Sequence, residues 1–189
     1  ELMQQAVPVG EGAMAAILAL DDDVVRELVV DAAGGDVLSV ANLNAPGQVV
    51  IAGHRSAVER AVEIARERGG KPRMLPVSAP FHCPLMRPAR EALEPALRQT
   101  RFRDPGVPVV TNVDARPVST GPAARDALVR QIDSPVRWVE SVEWLTDEAG
   151  VTAFVEVGPG SVLLNAVKRI RPEAARIELK GPEELAELG

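Results

Sequence analysis

His82 stands in the run Ser78-Ala79-Pro80-Phe81-His82-Cys83-Pro84-Leu85-Met86. Imidazole is the side chain best matched to moving a proton near neutral pH. The chain has two histidines. This one lies between two prolines, at a turn that separates an extended stretch from a helical one. Such a turn restricts where the ring can go, which a general base requires. The plainer alternative is a structural histidine with both ring nitrogens satisfied locally. Cys83 follows directly. A His-Cys pair suggests metal, but adjacent side chains diverge and no second His/Cys cluster completes a zinc site, so no metal is expected. Adjacency also spoils the geometry for a Cys83 thiolate activated by His82. A small core thiol is the better reading of Cys83, with a thiol hydrolase as the weaker chemistry.

Other polar residues are less distinctive. His54, in Gly53-His54-Arg55-Ser56, is placed like a surface residue at a helix start. Asn44 belongs to the turn signal Asn44-Ala45-Pro46-Gly47. Asn42, at the end of an extended stretch, has no such local explanation and could direct a carboxamide into a site. Gly158-Pro159-Gly160-Ser161 precedes a helical pattern. It lacks the third glycine of a dinucleotide fingerprint and the flanking glycines of a nucleophile elbow. Ser161 is therefore read as a helix N-cap. Ser39, Ser56, Ser78, Ser119, Ser134 and Ser141 also lack the Gly-x-Ser-x-Gly context. The residues alone offer a base without a clear nucleophile.

The elements that must position these groups read as α/β. At 189 residues, 46% hydrophobic and 25% charged, the chain can bury a substantial core. A net charge of −6 argues against nucleic acid as a partner. One cysteine excludes an internal disulfide framework and fits a reducing, cytoplasmic setting. No apolar run approaches the ~20 residues of a membrane span, so no membrane partner is expected. Gly12–Leu20 reads as a buried strand. Asp21-Asp22-Asp23 then starts a helix that Gly34-Gly35 end. Val37–Asn42 and Gln48–Ala52 are strand-like. A helix from Ser56 stops at Gly69-Gly70, and Pro72–Ser78 returns as a strand. This β-α-β-β-α-β order is the ferredoxin-like arrangement.

After it, helices are expected over Pro84–Gln99, Ala123–Ile132 and Pro135–Glu148, and a strand over Val107–Asn112. Val151–Val157 reads as a near-continuous apolar strand, as in a parallel sheet covered on both faces. The acid-rich stretch from Glu173 reads as a solvated end. Too few strands follow His82 to close a two-sided parallel sheet, so this part resembles a portion of a larger layered structure.

Four motifs occur in order: Gly12-Ala13-Met14-Ala15-Ala16-Ile17; Asn42-Leu43-Asn44-Ala45-Pro46-Gly47-Gln48-Val49-Val50-Ile51-Ala52-Gly53; Pro80-Phe81-His82-Cys83-Pro84-Leu85-Met86; and Glu156-Val157-Gly158-Pro159-Gly160. Together they resemble the malonyl-CoA:acyl carrier protein transacylase family of fatty acid and polyketide synthesis, over essentially the whole chain. The resemblance implies a ferredoxin-like subdomain at residues 9–78. It implies that residues 79–189 are the C-terminal portion of an α/β-hydrolase-like acyltransferase domain. It implies a ping-pong transfer, without cofactor, of malonyl from malonyl-CoA to the phosphopantetheine thiol of an acyl carrier protein. His82 falls on the family's catalytic histidine, and Gln131 where a backbone carbonyl orients that imidazole. Asn42 falls near the acyl pocket. Phe81 falls where a bulky ring accompanies choice of malonyl over methylmalonyl.

The family's Gly-Gln-Gly-Ser segment, its Gly-His-Ser-x-Gly elbow and its carboxylate-binding arginine do not match these residues. A bidentate arginine is the natural anchor for a carboxylate. The expectation is that this stretch is inactive by itself. The alternative is a non-catalytic ferredoxin-like module that binds a carrier protein or a small ligand.

Overall fold

A computed structural model describes residues 2–184. After a short helix α1 (Leu2–Gln5), the chain runs β1 (Gly12–Leu18), α2 (Asp22–Ala33), β2 (Leu38–Ala45), β3 (Gln48–His54), α3 (Arg55–Glu67) and β4 (Lys71–Met74). A 3-10 turn, Pro84–Met86, leads into α4 (Arg87–Gln99). Then come β5 (Val109–Thr111), β6 (Arg116–Val118), α5 (Gly121–Gln131), β7 (Val136–Arg137), α6 (Trp138–Asp147), β8 (Ala153–Val157), α7 (Val162–Ile170) and β9 (Ala175–Leu179). The protein is mixed α/β.

Five strands form the main sheet in the order β4-β1-β3-β2-β7. The first four pair antiparallel, and β7 joins β2 in parallel, Asn42 opposite Val136 and Leu43 opposite Arg137. The main core lies between this sheet and helices α2 and α3. Ile17, Val25, Leu28, Val49, Ile51, Ala57 and Val58 are fully enclosed in it. Helix α2 forms where expected. Asp22 and Asp23 sit in its first turn, favourable at the positive end of the helix dipole, and Gly34 ends it in the left-handed conformation at φ 56°.

Several expectations are corrected. β2 runs through Asn44 to Ala45, so the turn shrinks to Pro46-Gly47. β4 ends at Met74 rather than Ser78. The helix expected from Pro135 begins at Trp138, because Val136 and Arg137 are drawn into the sheet and the Arg137 N–H bonds the Asn112 carbonyl at 3.0 Å. β8 is not covered on both faces. Among the described residues it pairs in parallel with β9 alone, α7 packs against the pair, and Val155 and Val157 stay exposed. The stretch after Glu173 is not simply solvated either: Ala175–Leu179 is strand β9, with Leu179 buried.

The sheet leaves no room for a side chain at Gly53. A Cβ there would lie 2.1 Å from the Val37 carbonyl oxygen and 2.8 Å from Leu38 Cα. Gly53 pairs with Ala13 on one side and Leu38 on the other, so neither neighbour can retreat alone. Gly53→Ala is expected to cost about 1–3 kcal/mol, read as a lowered urea midpoint. An unchanged midpoint would show that these strands can separate freely.

Candidate active site

The turn carrying His82 is fixed from several directions. Ala79, Pro80, Cys83 and Met86 are buried. The Phe81 N–H donates to the Ala79 carbonyl at 3.1 Å, and the Met86 N–H to the Cys83 carbonyl at 2.9 Å. Pro80 packs over the first residue of β1, where a Cβ on Gly12 would lie 2.4 Å from Pro80 Cδ. Gly12 is therefore a glycine for space. His82 itself adopts φ 59°. The left-handed conformation costs a non-glycine residue roughly 1–2 kcal/mol, and it persists where the surroundings over-determine it.

That conformation brings His82 Nδ1 to 3.1 Å from the backbone oxygen of Gln131. A carbonyl can only accept, so Nδ1 carries the proton and Nε2 keeps its lone pair. Gln131 is the last residue of α5. Its carbonyl is one of those left without a partner inside the helix. It also lies at the negative end of the helix dipole, a favourable place for an N–H donor. The Gln131 side chain does separate work: Nε2 donates to the Ser134 and Pro135 carbonyls at 2.9 and 3.2 Å, folding the chain back after the helix. Among the described residues no hydroxyl reaches His82 Nε2.

Phe81, half-buried beside the histidine, packs against two small buried clusters, one including Met14, Val50 and Cys83 and the other including Ala79 and Met86. Asn42 lies elsewhere on the sheet and lines a cleft of about 610 Å³ together with Asn44, Gln48, Asn112, Trp138 and Arg169. His82 and Phe81 do not line it. Gln131 lines an adjoining cleft of about 260 Å³, and Asn112 lines both. The structure thus joins His82 to Gln131 directly, and leaves Asn42 in a neighbouring polar cleft. Asn112, Gln48 and Arg169 are cleft residues that the sequence reading missed. The strand end Thr111-Asn112 carried the same signal as Asn42 and could have found the first of them. Arg169 donates to Gln48 Oε1 at 2.5 Å and to the Pro46 carbonyl at 2.7 Å, so α7 is tied to the β2–β3 turn.

Three candidates resolve as structural. His54 Nδ1 accepts the Val37 N–H at 3.0 Å and lies 3.6 Å from Asp36 Oδ1, so it ties β3 to the start of β2. Ser161 occupies the N-cap position of α7 but makes no capping bond. Its expected task falls to Glu156, whose carboxylate accepts the Leu163 and Leu164 N–H groups at 3.2 and 2.9 Å. Cys83 is fully enclosed, and its thiol donates to the Pro80 carbonyl at 3.0 Å. Burial pushes the thiol pKa up to about 11. A thiol protonated at neutral pH is a poor nucleophile.

A family model described as acyl transferase domain matches residues 1–180. The chain belongs to the acyltransferase family. It is 48% identical over 187 residues to the malonyl CoA-acyl carrier protein transacylase of Escherichia coli K12, covering 98% of this chain and 60% of that protein. It is 43% identical over 186 residues to the protein of that name from Bacillus subtilis, covering 97% and 58%. Among solved structures, an acyl-carrier-protein S-malonyltransferase from Burkholderia pseudomallei superposes with a TM-score of 0.94 at 47% identity, covering 99% of this chain and 61% of that one. A malonyl-transacylase solved in complex with its type II polyketide acyl carrier protein superposes at 0.93 with 44% identity, covering 98% and 60%. This acyltransferase chain spans about three fifths of the length of these relatives.

The Cys83 environment yields a direct check. In the folded chain at pH 7, iodoacetamide is expected to leave Cys83 unmodified, and in urea to alkylate it fully. Rapid alkylation of the folded protein, followed by intact mass, would return Cys83 to the list of nucleophiles.

Proposed function

We propose that this chain supplies the general base and part of the acyl cleft of a malonyl transacylase, acting in the cytoplasm on malonyl-CoA and an acyl carrier protein. The observation that carries the reading is the His82 Nδ1 bond to the Gln131 carbonyl, which leaves Nε2 as the basic nitrogen. A relative 49% identical over 172 residues carries the transacylase name. The histidine takes the proton of a serine hydroxyl as that oxygen attacks the malonyl thioester. The tetrahedral intermediate collapses, the thioester C–S bond breaks, and the imidazolium returns the proton to the departing CoA thiol. In the second half His82 deprotonates the carrier's phosphopantetheine thiol as it attacks the malonyl-serine ester; the acyl C–O bond breaks and the imidazolium returns the proton to the departing serine oxygen. No electrons are transferred to or from a cofactor, and none is needed.

No serine of this chain stands in an elbow, so the reading takes the nucleophile, and the arginine for the malonyl carboxylate, from outside these residues. The stretch alone is then inactive. Residues 9–78 act as a ferredoxin-like subdomain, whose support is the β-α-β-β-α-β order and the β4-β1-β3-β2 strand sequence. Residues 79–189 form the C-terminal portion of the α/β-hydrolase-like domain; of these, 185–189 lie outside the described residues. Phe81 beside the base narrows the acyl site toward malonyl, and Asn42 presents its carboxamide to the adjoining cleft. A second reading rests on the absence of a hydroxyl near Nε2 among the described residues: by itself the chain is a binding module for a carrier protein or small ligand.

The test is malonyl transfer, followed by intact mass of enzyme and carrier, for the chain alone and within a longer protein bearing a Gly-His-Ser-x-Gly elbow. The longer protein is expected to become acylated and the chain alone not. His82→Ala in the longer protein should lower transfer about 10²–10⁴-fold. Gln131→Ala should cost less, since the carbonyl survives, though losing the bonds to Ser134 and Pro135 should leave a measurable deficit. Full transfer by His82→Ala would sink the reading. Carrier binding without acylation in the longer protein would favour the binding module.

A further inference from the structure

A second link joins the two segments that the His82–Gln131 bond joins. Arg90, in the first turns of α4, places Nη1 3.3 Å from both carboxylate oxygens of Asp133. Asp133 is two residues past Gln131, and Arg90 eight past His82. The Asp133 side chain is only 7% exposed, while that of Arg90 is 36% exposed. A carboxylate so enclosed needs its counter-ion, so the separation of α4 from the 131–135 turn is tightly set. Asp133 also lies close enough to the His82 turn for its charge to be felt at Cys83. The left-handed backbone at His82 needs such outside support.

We propose that Arg90 and Asp133 are positioning residues that clamp the His82 turn onto the end of α5. The clamp keeps Nδ1–H on the Gln131 carbonyl and so holds the ring in the tautomer whose Nε2 is free. Neither residue touches a reacting atom. The clamp rests, for its functional meaning, on the reading of His82 as the base.

The chain's two histidines make the test specific, because their neutral tautomers should be opposite. His82 carries its proton on Nδ1, facing a carbonyl, and His54 on Nε2, since its Nδ1 accepts the Val37 N–H. Long-range proton–nitrogen spectra of the ¹⁵N-histidine-labelled chain, taken above the imidazole titration, read both rings at once. In Arg90→Gln and in Asp133→Asn, the His82 Nε2 resonance is expected to move from the unprotonated position toward the tautomer average. His54 should stay unchanged, which also reports that the sheet is folded. Arg90→Lys, which keeps a cation near Asp133, should restore much of the wild-type His82 pattern. An unshifted His82 in either folded neutral variant overturns the clamp, as does equal disturbance of both histidines. Should Asp133→Asn fail to fold, the more exposed Arg90→Gln decides alone. A wild-type His82 in the expected tautomer, in a longer protein that transfers no malonyl, would sink the functional reading and leave the clamp standing.

Discussion

The bond from His82 Nδ1 to the Gln131 carbonyl joins positions 49 residues apart, and the orientation of the imidazole depends on it. A histidine free in solution shares its proton between two nitrogens. Here one nitrogen faces an oxygen that can only accept, so the other is basic by default. Two ordinary facts of helix structure make that oxygen available. The last carbonyls of a helix have no internal partner, and they carry the negative end of its dipole. Ending α5 at Gln131 therefore creates, without a charged side chain, an acceptor that fixes the tautomer.

The segment after that carbonyl links the His82 turn to the cleft. The Gln131 carboxamide folds residues 131–135 back on themselves, and Val136–Arg137 then enter the sheet beside Asn42 and Leu43. Arg130 forms a two-pronged pair with Asp114 at 2.6 Å, and Arg137 bonds the Asp114 carbonyl as well as the Glu140 carboxylate. The guanidinium of Arg130 holds the Asp114 carboxyl below its ordinary range. These side chains are each more than a third exposed, so solvent screening leaves such pairs little stabilising weight. Their effect is geometric: the end of α5, the β5–β6 hairpin and the entry to α6 are held in mutual register around Asn112.

The first half of the fold was legible because its signals are local and agree with one another. Apolar runs bounded by Asp21-Asp22-Asp23, Gly34-Gly35 and Gly69-Gly70 leave few alternatives, and β1 to β4 occur in the expected order, with the ends of β2 and β4 displaced most. The second half was harder because its strands are short and their partners distant. Val136 and Arg137 read as the start of a helix until β2 offers them hydrogen bonds. Val151–Val157 is apolar enough for a strand enclosed on both sides, yet composition cannot say how many layers cover it, and Val157 is 78% exposed. β9 was hidden by its charges. Ala175–Leu179 alternates acidic and basic residues with Ile177 and Leu179, and only the pairing with β8 turns that alternation into a strand.

The site itself was unevenly legible, for a physical reason. His82 stood out by residue type, because imidazole is the side chain best matched to moving a proton near neutral pH. Gln131 did not, because its contribution is a backbone carbonyl that every residue possesses; resemblance to a family, not chemistry, pointed to it. Gly12 shows the reverse case. It is conspicuous as a glycine but carries no functional group, and its reason is the 2.4 Å approach to Pro80 that any Cβ would make. Cys83, the residue that looks most reactive beside the histidine, is the one the fold disables by burial. Reactivity here follows from which atoms the backbone presents and which it encloses. Side-chain identity is decisive at His82 and at Gly12, while Gln131 contributes through an atom that residue type does not reveal.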